Sequence, residues 1–119
     1  KNIVRSYIVK NKSIEVVRAW HGHKKENKYF VVLKGAFQIS TVKIDNFKNP
    51  SKRLNPKSYF LKADTGDILH VPGGYANGFK SIYPESILQI FSNLSLSASL
   101  KDDYRYKYDY WDIWNDKNF

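Results

Sequence analysis

The alternation of apolar and polar positions along this chain predicts a series of short β-strands. Runs rich in β-branched and aromatic residues, with side chains alternating between two faces, are typical of strands in which one face is buried. Seven segments have this character and are separated by Gly, Pro, Asn or Asp. They are Ile3–Val9, Ile14–His23, Tyr29–Leu33, Ala36–Ile44, Ser58–Leu61, Asp67–Val71 and Ile87–Phe91.

The connecting segments show no long apolar stripe at helical period. Asn11–Ser13 has the composition of a turn, and Asp45–Lys57, which contains two prolines, is expected to be a loop. Pro72–Gly78 is too rich in glycine for a regular element, so we predict a loop there as well. One short helix is expected after Asn93, towards Asp103. Many short strands with Gly and Pro turns predict an all-β sandwich or barrel.

The C-terminal segment carries tyrosines at alternating positions. Residues two apart in extended backbone share a face, so these rings are expected to lie together. We interpret the face as one that closes a barrel or forms a dimer seam, rather than as a platform on which bases stack. The four tyrosines are Tyr104, Tyr106, Tyr108 and Tyr110.

Length and composition narrow the class of protein. A chain of 119 residues predicts one domain over residues 1–119, with enough apolar residues (42%) to form a core. The absence of cysteine excludes disulfides, thiolate metal sites and cysteine nucleophiles. No run approaches the roughly 18 apolar residues of a membrane span, and no signal-peptide core follows the N-terminus. No membrane association is expected, and we predict a cytoplasmic protein.

A formal net charge of +9 has two interpretations. It indicates an anionic partner, either nucleic acid or a small phosphorylated ligand, or it reflects a Lys- and Asn-rich surface. The basic residues are scattered, and no block of five to eight Lys and Arg residues exists. This distribution argues against a nucleic-acid partner and is compatible with a pocket for one diphosphate.

Two segments contain residues suited to chemistry. In Arg18–Lys28, His21 and His23 are two positions apart and would face the same side of a strand, as a metal pair, as a base with a partner, or as an exposed polar pair. In Gly66–Gly78, a strand ends in a glycine-rich turn, which by itself is ordinary turn chemistry.

Together, these two segments resemble the motifs of the cupin superfamily, whose fold is the jelly roll or double-stranded β-helix. His21 and His23 match its His-x-His pair, and Gly66, Pro72 and Gly74 match the spacing of its second motif. Lys28 stands where the metal-binding cupins carry Glu, and Asn77 stands where they carry His. An ammonium has no lone pair for a metal. The resemblance therefore implies a single-domain cupin without a metal or other cofactor.

A narrower resemblance covers most of the chain, from about Ile3 to Trp111. Arg18, His21, Lys28 and Pro72–Phe79 look like the motifs of the dTDP-4-dehydrorhamnose 3,5-epimerase group within the RmlC-like cupins. The segment from Arg18 to Lys25 and the tail Asp103–Tyr108 also look like the dTDP-sugar 3,4-ketoisomerases. Both resemblances imply an isomerase that acts on a nucleotide-diphospho-keto-sugar in deoxysugar or polysaccharide biosynthesis.

The resemblance also implies roles for individual residues. His21 would be the base that removes a proton beside a carbonyl, and Lys28 would stabilise the enolate oxygen. The remaining candidates would bind substrate, with Arg18 on sugar or diphosphate and His23 lining the pocket or relaying a proton. These substrate-binding candidates are Arg18, His23, Tyr75, Asn77 and Gln89.

The sequence also departs from the epimerase pattern, which leaves alternatives open. Gln89 takes the place of the tyrosine acid of the epimerases, so that another tyrosine or water would have to donate the proton. Asp109 and Asp112 are guesses for the carboxylate that pairs with the base. Our first hypothesis is a C3 and/or C5 epimerase. The others are a 3,4-ketoisomerase and a cupin that binds sugar nucleotides without turnover. In each case the expected partner is a nucleotide-diphospho-sugar, and a homodimer is predicted.

Overall fold

The computed structural model describes residues 2–11 and 13–115, which form two antiparallel β-sheets packed face to face. Lys12, in the predicted turn after the first strand, lies outside the described residues, as do residues 1 and 116–119. The strands are β1 (Arg5–Lys10), β2 (Val17–His23), β3 (Lys28–Lys34), β4 (Ala36–Lys43), β5 (Lys57–Lys62), β6 (Ile68–Val71), β7 (Tyr75–Ser81), β8 (Ile87–Ser92) and β9 (Tyr104–Arg105).

The strand order is that of a jelly roll, in which neighbours in space are seldom neighbours in sequence. One sheet has the order β1-β8-β3-β6 and the other has the order β5-β4-β7-β2-β9. The all-β prediction is confirmed, and the chain forms a single-domain sandwich. Within the second predicted strand, the segment that starts at Ile14 is a turn closed by Ser13, whose hydroxyl accepts the Glu15 N–H at 3.1 Å, so β2 begins only at Val17.

Inward-facing apolar side chains from both sheets form the main core. Phe30, Phe37 and Ile39 are fully buried there, and Phe79 packs edge-on against both phenylalanines. The buried members are Phe30, Val32, Phe37, Ile39, Leu61, Val71, Phe79, Leu88 and Ile90. This core lies between the two sheets.

The C-terminal segment covers the outer face of the five-stranded sheet. Trp111 and Trp114 pack on the fully buried Trp20 of β2, at centroid distances of 5.4 and 5.2 Å. The sequence analysis predicted that the alternating tyrosines share one face of an extended segment, and the structure does not have this arrangement. After Arg105 the segment turns, and the side chain of Tyr108 is half exposed. The backbone carbonyl of Tyr108 accepts hydrogen bonds from the indole N–H groups of Trp20 and Trp114.

Strand β7 corrects the prediction of a loop over Pro72–Gly78. Only residues 72–74 form a turn, and β7 begins at Tyr75. Strand β2 has a β-bulge in which two residues, Ala19 and Trp20, face the single residue Gly78. A Cβ atom at Gly78 would collide with the Cβ of Ala19. This glycine therefore allows close approach of two strands, a role that composition does not distinguish from turn formation.

The predicted helix is present as α1 (Leu96–Leu100), and Ser95 caps it by accepting the N–H of Ala98 at 3.2 Å. It follows β8 and lies at the open end of the sandwich. Neither α1 nor the single 3-10 turn at Ala63–Thr65 is long and apolar enough to cross a membrane, and the described ranges contain no other helix.

Candidate active site

A cavity of about 210 Å3 opens between the two sheets at the end that is covered by α1. Its wall is unusually rich in cationic and titratable side chains, with apolar residues at its floor and beneath the helix. The lining residues are Arg5, Tyr7, Val9, Arg18, His21, His23, Lys28, Asn77, Phe79, Ile90, Leu96, Ser99, Leu100, Asp103 and Arg105.

The bulge in β2 brings three of the residues singled out by the sequence to this cavity. In a regular strand, Arg18 would face away from His21 and His23, because residues three apart lie on opposite faces. The two bulged residues both pack on the outer face of the sheet, so the inner face resumes with His21. Arg18, His21 and His23 consequently line the same cavity. Sequence periodicity alone predicts only the His21–His23 pair.

His21 lies in an environment that keeps its imidazole neutral. Burial, followed by the positive charges of Lys28 and Arg105, lowers the pKa of His21 from its usual 6.5 to about 4. The carboxylate of Asp103 opposes this effect. His21 is therefore unprotonated at neutral pH and available to accept a proton, as a general base must be.

Lys28 is the first residue of β3 and is only 8% exposed. Burial lowers the pKa of its ammonium, and the positive charge of Arg5 adds to this effect, whereas the carboxylate of Glu26 raises the pKa. A cation in such a poorly solvated position interacts strongly with a negative charge that develops nearby.

Glu26, in the loop between β2 and β3, was not singled out by the sequence. Its carboxylate is fully buried and accepts hydrogen bonds from Ser92, from Ser99 at 2.7 Å and from Arg5 at 2.9 Å. Nothing in the pattern of this polar loop predicts a buried carboxylate, because charged residues are rarely buried and the three donors come from distant parts of the chain.

Asp102, in the C-terminal segment, contacts the imidazole of His23 and orients it. Its Nδ1 lies 2.7 Å from the carbonyl oxygen of Asp102, and its Nε2 is buried without a hydrogen-bond partner among the described residues. The Asp102 carboxylate accepts the backbone N–H groups of Lys24, Lys25 and Glu26. Asp102 thereby holds the loop that follows β2, and it is a second residue that sequence reasoning missed.

Strand β1 supplies two further residues that the sequence analysis did not select. Arg5 and Tyr7 are two apart and lie on the inner face of β1, and the guanidinium of Arg5 sits 5.1 Å from the centre of the Tyr7 ring. Burial raises the pKa of the Tyr7 phenol, an effect reinforced by Glu26 and opposed by Arg5. The alternation along Ile3–Val9 was a signal that could have identified this pair.

Of the remaining residues predicted to bind substrate, one lines the cavity and two do not. Asn77 lines the cavity, whereas Tyr75 packs against the main core and does not line it. Gln89 lies outside the cavity wall, because strict alternation along β8 turns Leu88 and Ile90 inward and Gln89 to the outer face.

The cavity carboxylate that acts on the pKa of His21 is also not one of the two that the sequence suggested. Asp109 and Asp112 are exposed in the turns of the C-terminal segment and do not line the cavity. Asp103 does line it, because β9 pairs with β2 and places Arg105 opposite His21. Asp103 accepts the Nε–H of Arg105 at 3.0 Å.

The donor set in this cavity does not fit a divalent metal ion. The part of the chain described by the structure contains no group of three or more His, Asp or Glu side chains arranged to surround one. The charge of Lys28 acts on both histidines and would oppose a bound cation. No step proposed below passes through a metal.

Comparisons with known proteins give structural matches only, since no family model matches the chain and no curated protein matches it in sequence. The chain is similar to a dTDP-4-dehydrorhamnose 3,5-epimerase from Bacillus anthracis, crystallised with TDP and pyrophosphate. The identity is 25%, the TM-score is 0.74, and the match covers 98% of this chain and 62% of the epimerase.

A second epimerase, from Sulfolobus tokodaii, is 24% identical with a TM-score of 0.77, over 98% of this chain and 64% of that one. The 3,4-ketoisomerase QdtA from Thermoanaerobacterium thermosaccharolyticum, in complex with TDP, is 17% identical with a TM-score of 0.69, over 92% of this chain and 71% of QdtA. The chain thus spans less than two-thirds of the length of either epimerase.

Proposed function

Because this chain has the RmlC-like cupin fold, we propose that it is an isomerase of a nucleotide-diphospho-keto-sugar, and specifically an epimerase at C3 and/or C5. One observation carries the proposal: a neutral imidazole, His21, and a buried ammonium, Lys28, line one cavity of a fold shared with such enzymes. Removal of a proton from a carbon next to a carbonyl needs this combination of a base and a cation.

In the proposed reaction, His21 takes the proton from the carbon beside the C4 carbonyl. The electron pair of the broken C–H bond moves to the carbonyl oxygen, and the ammonium of Lys28 stabilises the resulting enolate. Return of a proton to the opposite face of the same carbon inverts its configuration. Tyr7 is the proposed donor, because its phenol is protonated at neutral pH and lines the cavity.

The cavity supports a sugar as the buried part of the substrate. Its volume of about 210 Å3 is below the roughly 300–1,000 Å3 of pockets that enclose a whole drug-sized ligand. A nucleotide would therefore extend outside, and Arg18 and Arg105, both exposed at the wall, are suited to the diphosphate. Two of the similar structures hold TDP.

A 3,4-ketoisomerase is a second candidate, and one observation favours it. His21 and His23 both line the cavity, so two imidazoles are available to move protons at two neighbouring carbons. Such a reaction takes a proton from C3 and returns one to C4 through an enediol, and it leaves C5 untouched.

The test is proton exchange, followed by NMR in D2O, with dTDP-4-keto-6-deoxyglucose as the first substrate. We expect exchange at C3 or C5 with the wild type and a loss of at least about 100-fold in His21→Ala. His70→Ala is the matched control, since His70 is exposed and outside the cavity, and it should keep the wild-type rate.

The pattern of exchange decides between the candidates. Exchange at C3 alone, with a 3-keto product, would identify the ketoisomerase. Full exchange in His21→Ala would contradict the role of His21. Binding without exchange, across a panel of keto-sugar nucleotides, would contradict the isomerase proposal and indicate a non-catalytic binding cupin.

The proposed role of Tyr7 predicts a different phenotype. Tyr7→Phe removes the phenolic proton but leaves the ring, so we expect deuterium exchange with retention of configuration to continue while the epimerised product falls by at least about 100-fold. Tyr83→Phe, on an exposed tyrosine, is the control. Equal loss of exchange and product in Tyr7→Phe would argue against a donor role.

A further inference from the structure

Resting on this proposed function, we propose that Glu26 is a positioning residue of the cavity, which orients His23 with its Nδ1–H towards Glu26 and the Asp102 carbonyl and sets a buried, fixed carboxylate within electrostatic reach of Lys28. Glu26 itself does not line the cavity and acts through these two side chains. Neither the sequence motifs nor the similarity to known structures assigns it this role.

Both oxygens of the Glu26 carboxylate accept hydrogen bonds from neighbouring side chains. Ser92 and Arg5 both donate to its Oε2, and Ser99 donates to Oε1 at 2.7 Å. The Nδ1 of His23 lies 3.3 Å from the same Oε1. These donors come from β1, β2, β8 and α1, so the carboxylate links four elements and is held in one place.

The hydrogen bonds of His23 define its tautomer. The Asp102 carbonyl oxygen, 2.7 Å from Nδ1, can only accept a hydrogen bond, so Nδ1 must carry the proton. Glu26 offers a second acceptor to the same N–H. In the neutral ring, Nε2 is then an unprotonated acceptor, and it has no partner in the part of the chain described by the structure. The nitrogen left to take a proton is therefore Nε2.

Charge supports the same role. Burial raises the pKa of Glu26, but the hydrogen bonds from Ser92 and Ser99 and the positive charge of Lys28 act against it, and the pKa ends below its usual value. Glu26 is consequently an anion at neutral pH.

Several charged groups near Glu26 act on the pKa values of Lys28 and His23. Arg5 and Arg105 lower the pKa of Lys28, whereas Glu26 and Asp103 raise it. For His23, burial and Lys28 lower the pKa, whereas the Asp102 hydrogen bond, Glu26 and the Asp102 charge raise it. Removal of the Glu26 charge would thus favour the neutral amine of Lys28, which could no longer stabilise an enolate.

The first measurement needs no variant and no substrate. Nitrogen-15 NMR of the wild-type histidine rings should show the Nδ1 of His23 protonated and its Nε2 unprotonated at neutral pH, and the Glu26 carboxyl should titrate below the usual range of glutamate. A protonated Nε2 in the neutral ring, or a Glu26 that titrates at or above the usual value, would overturn the proposal.

The second measurement uses Glu26→Gln, with Glu15→Gln as a matched control on an exposed glutamate. In folded Glu26→Gln we expect Lys28 to titrate at lower pH, and the alkaline limb of the exchange rate in D2O to move to lower pH with it. A purely structural role would lower stability without moving either titration, and unchanged titration of Lys28 would overturn the proposal. Silence of the wild type on every keto-sugar would instead contradict the proposed reaction, while the NMR titrations still test Glu26.

Discussion

At the scale of single residues, charged neighbours shift the pKa values of His21 and Lys28. The same ammonium that would stabilise an enolate also lowers the pKa of His21, while the carboxylate of Glu26 limits the loss of the proton from Lys28. His21 is thereby neutral at neutral pH, and Glu26 opposes the burial and the Arg5 charge that lower the pKa of Lys28. A base and a cation can coexist in one small cavity because their usual pKa values are about four units apart before these shifts.

Removal of the Lys28 charge therefore has a predictable effect on His21. In Lys28→Met, the pKa of His21 should rise from about 4 towards 6.5, without reaching it, because burial is the larger cause of the shift and remains. Titration of the ring protons by NMR measures this change. Lys25→Met, on an exposed side chain of the preceding loop, should leave the pKa of His21 unchanged. The interpretation fails if both variants behave alike.

At the scale of elements, the β-bulge in β2 determines which side chains reach the cavity. Ala19 and Trp20 both lie on the outer face, where they pack against the C-terminal tryptophans. Arg18 and His21 therefore both face inward. The opposing residue, Gly78, leaves room for this arrangement. One irregularity thus decides which side chains of β2 face the cavity and which pack on its outer face.

Substitution of Gly78 tests the importance of this close approach. In Gly78→Ala, the new Cβ would collide with Ala19 and lie 2.9 Å from Cζ2 of Trp114, so we expect a loss of about 2–3 kcal/mol in the free energy of unfolding. Gly66→Ala is the control, because its Cβ would meet nothing within 4 Å and only its φ of +70° is unfavourable, at about 1 kcal/mol. Urea unfolding measures both, and a Gly78→Ala protein as stable as Gly66→Ala would contradict the packing argument.

At the scale of the whole molecule, the outer face of the four-stranded sheet is the surface that matches the predicted homodimer. Ile8 and Ile68 are 54% and 66% exposed there, and a shallow depression beside them is lined by Ile3, Tyr29, Val31, Ile68 and Phe91. Two molecules with a net charge of +9 repel each other, so a second copy is expected to pack through a face with few charges.

The expected oligomer is a dimer that uses this face. Light scattering coupled to gel filtration should give twice the monomer mass for the wild type, and Ile68→Lys should shift it to monomer by placing a cation in the apolar face. Val16→Lys, on an exposed residue before β2, should remain dimeric. A monomeric wild type would contradict the prediction of a homodimer, and a dimeric Ile68→Lys would exclude this face.

The sequence by itself determined what depends on short stretches of chain. Alternation and turn residues predicted seven of the strands approximately, the short helix and the all-β class, because these signals arise between residues a few positions apart. The resemblance to cupin and epimerase motifs singled out His21, Lys28 and Asn77, which line one cavity, and implied the RmlC-like fold. The sequence analysis missed strand β7 because glycine is typical of turns, whereas Gly78 allows two strands to approach closely.

Only the tertiary structure decided which distant residues complete the site. Tyr7, Glu26, Asp102 and Asp103 meet around His21 and His23 through strand pairings that span up to 87 positions of chain (Arg5 opposite Ser92), from β9 against β2 to β1 against β8. The inward turn of Ile90 in place of Gln89 depends on the register of β8 between its two neighbours. Burial, charge and orientation at a site are properties of what surrounds a residue in space, and the surroundings of these groups are fixed by long-range packing that local sequence patterns do not encode.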